Sequence, residues 1–241
     1  MRNPTLKTQS GELEYTITNR RRVTKRLHME LDEHGGLVVV APRHWSKRYI
    51  NAAMAQNIHH VEKFLARTRG RQLKPLQYID GEQHFYLGKK YPLAIHHVAG
   101  CQSHIKFIDG EIRVDIPGPR PEKIQTTLQH WYLFRARVIF NERLMDIAQR
   151  ASWAQDKDVP LKFRRMKRTW GNCSAAGVIK LNTHLVKAPL NLIDSVIAHE
   201  LCHLEEMNHG RAFYALLESL NPDWRGDRAR LKSEGFNYLL R

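Results

Sequence analysis

The stretch that decides the fold is Ser195-Val196-Ile197-Ala198-His199-Glu200-Leu201-Cys202-His203-Leu204-Glu205-Glu206-Met207-Asn208-His209. Ile193, Val196, Ile197, Leu201 and Leu204 recur at the three- and four-residue spacing of a buried helix face, with Pro189 just ahead and Asn191 and Asp194 spaced like a capping pair. Within that predicted helix lies H-E-x-x-H. Residues four apart on a helix sit about 40° apart around the axis and one turn along it. His199 and His203 therefore project side by side and can reach one metal ion at about 2.0–2.1 Å each. Glu200 is rotated by about 100° from His199 and is placed to take a proton from water activated at that ion, as a general base.

A catalytic metal needs a third protein ligand and an open position. His209 extends the motif to H-E-x-x-H-x-x-x-x-x-H. On an unbroken helix it would lie about 9 Å further along the axis than His203, too far to share an ion. The helix is therefore expected to end between Glu205 and Asn208, with Asn208 and Gly210 turning the chain back. Glu218 and Glu234 are the rival third ligands. The pairs His59-His60 and His96-His97 lack a third partner at ligand spacing and read as surface or packing residues. Cys202 lies on the far side of the helix from both histidines and reads as a small apolar residue. Cys173 with His184 is a nucleophilic alternative that the histidine spacing outweighs.

Working outward, the first half of the chain reads as short strands: Leu13–Thr18, Val23–Leu31, the apolar run Leu37–Val40 stopped by Pro42, then Gln77–Ile79, His84–Leu87, Tyr91–Val98, His104–Ile108 and Glu111–Ile116. Asp80-Gly81 and Asp109-Gly110 are hairpin signals, since both residues tolerate positive φ. A helix opened by Ser46 and carried by Ile50, Met54, Ile58, Val61 and Leu65 to Gly70 covers a sheet. Past the linker Pro117-Gly118-Pro119, Ile124, Leu128, Trp131, Phe134, Val138, Leu144 and Ile147 mark a long core helix. Strands are expected at Phe163–Arg168 and Val178–Leu181, the latter hairpinned through Gly177, with a tight turn at Trp170–Ser174. No segment repeats at a fixed period. The expected division is a β-rich region, 1–118, and a mainly helical metal-binding domain, 119–241, together an α+β protein.

The quoted motif, with Trp170-Gly171-Asn172-Cys173-Ser174, Ile179-Lys180-Leu181-Asn182, Ala188-Pro189, Ile193-Asp194 and Met207-Asn208-His209, resembles the YgjP-type metal-dependent hydrolases, relatives of the SprT-like and Wss-like zincin peptidases. Leu37–Pro42 and Tyr86-Leu87-Gly88-Lys89-Lys90-Tyr91 are similar to early segments of that family, so the resemblance covers nearly the whole chain. It implies an N-terminal β-rich part followed by a zincin-like domain. It also implies one zinc per chain on His199, His203 and His209, with Glu200 catalytic and peptide hydrolysis as the leading reaction. Pyrophosphate cleavage of a nucleoside triphosphate such as UTP is an alternative, and action on DNA-bound proteins a second. The family's turn reads W-G-S-C-S, whereas Asn172 stands at the first serine here. Arg168, Trp170, Asn172 and Tyr214 are the candidate substrate contacts.

Of the 241 residues, 39 are Lys or Arg and 24 Asp or Glu, a formal charge of +15. Such a surface suits a nucleotide substrate and is the electrostatic footprint of nucleic-acid binding, with clusters at Arg20–Arg26 and Lys162–Arg168, whereas hydrolysis of a peptide or protein substrate does not by itself require it. The longest apolar run is far short of the 18 or so residues of a bilayer span, and the N-terminus has no apolar leader. Three cysteines without a C-x-x-C pair give no disulfide framework or thiolate zinc site. A cytoplasmic protein is expected.

Overall fold

The computed structural model of the chain describes residues 3–8, 11–19, 26–31, 36–69, 76–100, 102–118, 120–155, 157–166 and 169–239. It divides into two compact units, Met1–Pro75 and Leu76–Arg241.

In the first unit, β1 (Thr5–Thr8), β2 (Gly11–Asn19), β3 (His28–Leu31) and β4 (Leu37–Ala41) form one sheet in the order β1-β2-β4-β3. The apolar β4 is an inner strand, parallel to β2 and antiparallel to β3, so both its edges are paired. Two helices close the core, α1 (Lys47–Gln56) and α2 (Ile58–Arg69). The Ser46 hydroxyl caps α1 by accepting from the Tyr49 amide at 3.2 Å. Ile50, Met54 and Val61 bury against Tyr15, Leu37 and Val39. The single helix expected from Ser46 to Gly70 is broken at Asn57, whose amide and side chain both bond the Ala53 carbonyl while its own carbonyl accepts from Val61. The Arg20–Lys25 part of the first basic cluster and Gly70 itself lie outside the described residues.

The second unit opens with β5 (Gln83–Tyr86), β6 (Lys89–His97), β7 (His104–Ile108) and β8 (Glu111–Ile116), ordered β5-β6-β8-β7. Here too β6 and β8 are parallel and β7 and β8 antiparallel. Asp109-Gly110 turns the β7–β8 hairpin as expected. Gln77–Ile79 is not a strand: the Glu82 carboxylate accepts from the Gln77 and Tyr78 amides at 2.7 and 2.8 Å, and Tyr78 takes a positive φ of 58°. A side chain there satisfies donors that a ladder would have used. The first hairpin of this sheet turns instead at Leu87-Gly88, and those two amides donate to the Val186 and Lys187 carbonyls.

α3 (Pro121–Ala148) follows, then β9 (Leu161–Arg164), β10 (Gly171–Cys173) and β11 (Ile179–Asn182), a 3₁₀ turn Thr183–Lys187, and α4 (Leu190–Cys202), α5 (Arg211–Leu220) and α6 (Trp224–Glu234). The segment expected as a tight turn at Trp170–Ser174 contains β10, which hairpins with β11, while β9 lies parallel to β11 on its other side. Buried residues of α3 point around most of its circumference, and it packs against α4, β7, β9 and Thr183–Lys187. Phe134 is the member of its expected stripe that faces out, 59% exposed.

The boundary at Pro75 differs from the one expected at 118. Tyr86, Leu93, Ile112, Val114 and Ile116 of the second sheet share one apolar cluster with Ile124, Leu128 and Trp131 of α3 and with Ile193 and Ile197 of α4. Apolar burial of that extent makes the second sheet part of the helical unit. The protein is α+β, with N-terminal sheets followed by a mainly helical region. Among the described residues, no helix is long and apolar enough to cross a membrane.

Candidate metal centre

α4 carries the motif through the core of the second unit. Its start differs from the sequence expectation: Pro189 is the N-cap, and neither Asn191 nor Asp194 caps it. Asn191 instead donates to Asp227 at 2.7 Å, and Asp194 accepts both Nε and Nη2 of Arg143 at 2.7 and 2.8 Å, so tertiary partners claim both side chains. The helix also ends earlier than expected. Cys202 is its last residue, His203 is the C-cap, and tighter bonds from Leu204 to Leu201 and Glu205 to Cys202 turn the chain away. Asn208 accepts from the Gly210 amide at 2.7 Å, and Gly210 is the N-cap of α5.

That turn returns His209 to His199 and His203. One ligand atom from each of the three lies within 4.8 Å of the others, and the Nε2 atoms of His199 and His209 are 3.0 Å apart. His203 Nδ1 stands 3.0 Å from the Glu206 carbonyl. A carbonyl only accepts, so Nδ1 carries the proton and Nε2 is left with its lone pair facing the cluster. Burial, then His203 and His209, hold His199 down to about 4, and burial with His203 and Arg228 lowers His209. Both imidazoles are therefore neutral at neutral pH, the form that binds a metal. Phe213 of α5 packs its ring 4.9, 4.7 and 4.6 Å from those of His199, His203 and His209, a single apolar floor beneath all three. These donors suit a divalent transition ion: three imidazoles, one with its second nitrogen already bonded to a carbonyl.

Glu200 is 5% exposed. Its burial pushes the carboxyl up to about 7 against the opposing effect of a hydrogen bond from the Cys173 amide. Strand β10 reaches this carboxylate because residue 171 has no side chain: a Cβ there would lie 2.6 Å from Glu200 Oε1 and 2.7 Å from its Cγ. Gly171 has no positive φ to explain it, so close approach is the reason for a glycine.

The other sequence candidates fall elsewhere. Glu218 pairs with Arg225 at 3.0 Å and Glu234 with Arg230 at 3.3 Å, and neither belongs to the histidine cluster. Trp170 lies against Gly235, where an added Cβ would meet its ring at 2.8 Å, so its ring serves packing. Asn172 is exposed on β10. Tyr214 stacks on Trp224 at 4.9 Å, its ring 6.3 Å from that of His209. Arg168 lies outside the described residues. Cys202 is fully buried with its thiol pushed up to about 12, and His184 Nδ1 donates to the Tyr238 carbonyl at 3.1 Å. Gly171, the Cys173 amide, the Glu206 carbonyl and Phe213 escaped sequence reasoning. Only Phe213, four residues after His209 on an apolar stripe, left a periodic signal there.

Three imidazoles gathered by a helix that also carries a buried glutamate supply the donors of a metal-dependent hydrolase. A family model described as YgjP-like, metallopeptidase domain, matches residues 25–234, and the chain belongs to that family. Among solved structures it is similar to the metallopeptidase zymogen abylysin of Pyrococcus abyssi, at 18% identity and a TM-score of 0.37 over 39% of this chain and 93% of that one. It is also similar to the zymogen jannalysin of Methanocaldococcus jannaschii, at 20% identity and a TM-score of 0.33 over 41% of this chain and 94% of that one. No curated protein matches.

Proposed function

We propose that the protein is a zinc-dependent peptidase in which His199, His203 and His209 hold the ion and Glu200 is the general base. The observation that carries this reading is the convergence of three imidazoles next to a buried carboxylate that a backbone amide orients. Zinc, when bound, supplies Lewis acidity at the scissile carbonyl and acidifies the attacking water. Glu200 takes the proton from that water and returns it to the leaving amine. The Cys173 amide and the space at Gly171 fix the carboxylate, so its position does not depend on substrate. The Glu206 carbonyl fixes the tautomer of His203, and Phe213 keeps the three rings in register.

The purified chain is expected to carry about one zinc, and His203→Ala or His209→Ala to remove it. Glu200→Gln should retain zinc and lose roughly 10²–10⁴-fold in peptide turnover. Casein, UTP and a DNA-bound protein, each offered to wild type and Glu200→Gln, separate the substrate classes, since only Glu200-dependent turnover counts. Glu200-dependent cleavage of UTP alone would overturn the peptidase reading, and zinc retained by both histidine variants would overturn the ligand assignment.

A further inference from the structure

The positive charge is shared unevenly between the two units. Residues 1–75 hold 15 of the 39 basic and 6 of the 24 acidic residues, a formal +9, whereas the larger second unit carries +6. No Asp or Glu occurs between Glu33 and Glu62, a span that covers β4, α1 and the start of α2. Within it stands Arg43-His44-Trp45-Ser46-Lys47-Arg48-Tyr49, in which cations and rings interleave. Neither the metal centre nor the core of the first unit uses the exposed members of this segment.

The backbone presents them outward. The Trp45 amide donates to the Pro42 carbonyl at 3.2 Å, closing a turn with Arg43 and His44 at its tip, both exposed. Trp45 is half-buried against the core and anchors that tip. Its ring meets those of His44 and Tyr49 edge-to-face, with centroids 6.4 and 4.6 Å away, so the three rings form one row. Tyr49, at one end of the row, is 54% exposed. Ile50 and Met54 take the buried side of α1, which leaves Lys47, Arg48 and Tyr49 on the solvent side of its first turn. Among the described residues no carboxylate pairs with Arg43 or Arg48. The dipole of α1 disfavours a cation in its first turn, where no acid stands, so helix stability does not account for Arg48.

A row of rings set among guanidinium groups matches single-stranded nucleic acid in both of its parts. Arginines meet phosphates, and unpaired bases offer faces that stack on aromatic rings. A duplex keeps those faces inside, and an acidic peptide has none to offer. A membrane surface would call for large apolar groups along the exposed side of α1, where Asn51, Ala52, Ala55 and Gln56 stand instead. We propose that the Pro42–Trp45 turn and the first turn of α1 form a binding surface for single-stranded nucleic acid, with Arg43 and Arg48 on its phosphates and a base stacked on Tyr49. The surface lies wholly in the first unit and binding there needs no turnover, so it is independent of the peptidase activity.

The test is fluorescence anisotropy of a labelled thymidine strand of about twelve nucleotides, titrated with the purified full chain. A duplex of the same length, polyglutamate and phosphatidylserine vesicles serve as separate competitors. Saturable binding is expected, and the unlabelled strand should displace the probe at a lower concentration of charge than any of the three. Arg43→Gln and Arg48→Gln should each weaken binding several-fold and reduce the slope of log affinity against log salt by about 0.7. Tyr49→Ala should weaken it about fivefold or more with the salt slope unchanged, and Tyr49→Phe should keep it. Arg48→Glu should abolish binding while melting no lower than wild type, since an acid suits that end of the helix, which separates a lost contact from a lost fold. The proposal is overturned if the strand does not bind, if duplex, polyglutamate or vesicles displace it better than the strand itself, or if any of Arg43→Gln, Arg48→Gln and Tyr49→Ala keeps wild-type affinity.

Discussion

The two four-stranded sheets are built alike and used differently. In each, a hairpin partner lies on the outside (β1, β5), a long strand pairs parallel with the fourth strand (β2 with β4, β6 with β8), and the third strand closes the far edge. Both fourth strands run into a proline, Pro42 and Pro117, and a helix follows. The strands β9, β10 and β11 repeat the last two pairings, one parallel and one antiparallel, in shorter form, and the helix that follows is α4 with its histidines. What separates the units is chemistry. Every described buried polar or charged residue, among them His84, Asp115, Lys187, Glu200 and Asp227, lies in the second unit. The first is closed by aliphatic and aromatic packing among its described core residues, where the Tyr15 hydroxyl donates to Asn51 at 2.6 Å. Topology is thus reused as scaffold, while the buried charged groups among the described residues, each costly unless partnered, are confined to the second unit.

That contrast can be broken most forcefully at the helices. Phe140→Ala on α3 should cost the second unit about 3–5 kcal/mol and loosen its zinc, whereas Met54→Ala on α1 should cost about 2–5 kcal/mol and leave zinc content at the wild-type level. Denaturant melts paired with metal analysis decide, and equal zinc loss in both variants would sink the division of labour.

Next comes the buried lysine, which has no described counterpart in the first unit. The folded chain holds Lys187 near 7, below its ordinary 10.5, so the unfolded chain binds the extra proton between those values. Stability should therefore rise as pH climbs from about 7 to 10.5, by at most about 1.4 kcal/mol per pH unit. Lys187→Met should flatten that rise; a wild-type profile in the variant would show that other groups produce it.

A matched pair sharpens the likeness of the sheets. Val39→Ala in β4 and Val114→Ala in β8 remove equally buried side chains from equivalent strands, and each should cost about 2 kcal/mol. Losses differing by more than about 1 kcal/mol would mean that the two cores are not packed alike. The smallest effect is at the helix starts. Ser46→Ala should cost about 1 kcal/mol, while Arg120→Asp, at an N-cap that makes no side-chain bond, should gain about 0.5 kcal/mol, both read from thermal unfolding.

Much of the centre was legible because it depends on spacing. His199 and His203 share a helix face by periodicity, and His209 required only that the helix stop, which it does at Cys202. The runs Leu37–Ala41 and Glu111–Ile116 announced themselves by hydrophobicity and by Gly and Pro punctuation. What sequence could not supply was partnership across the chain. Asn191 and Asp194 fit a cap by spacing, yet Asp227 and Arg143 claim them. Trp170–Ser174 looked like a turn because three residues of strand leave almost no alternation to see, and β11 supplies the pairing. Gly171 read only as part of that turn, whereas its lack of a side chain leaves the volume that Glu200 occupies. The likeness of the two sheets was invisible because it resides in pairing order, which no residue period encodes.

The position of the ligands in the chain has a consequence for biosynthesis. All three imidazoles arise between His199 and His209, after both large sheets and α3 have been made. A ribosome releasing the chain from its N-terminus thus lets Met1–Pro75 and then β5–β8 leave the exit tunnel well before a complete ligand set exists. The three histidines can therefore meet as a cluster only late in the synthesis of each molecule, once the sheets and the long helix that precede them have been released.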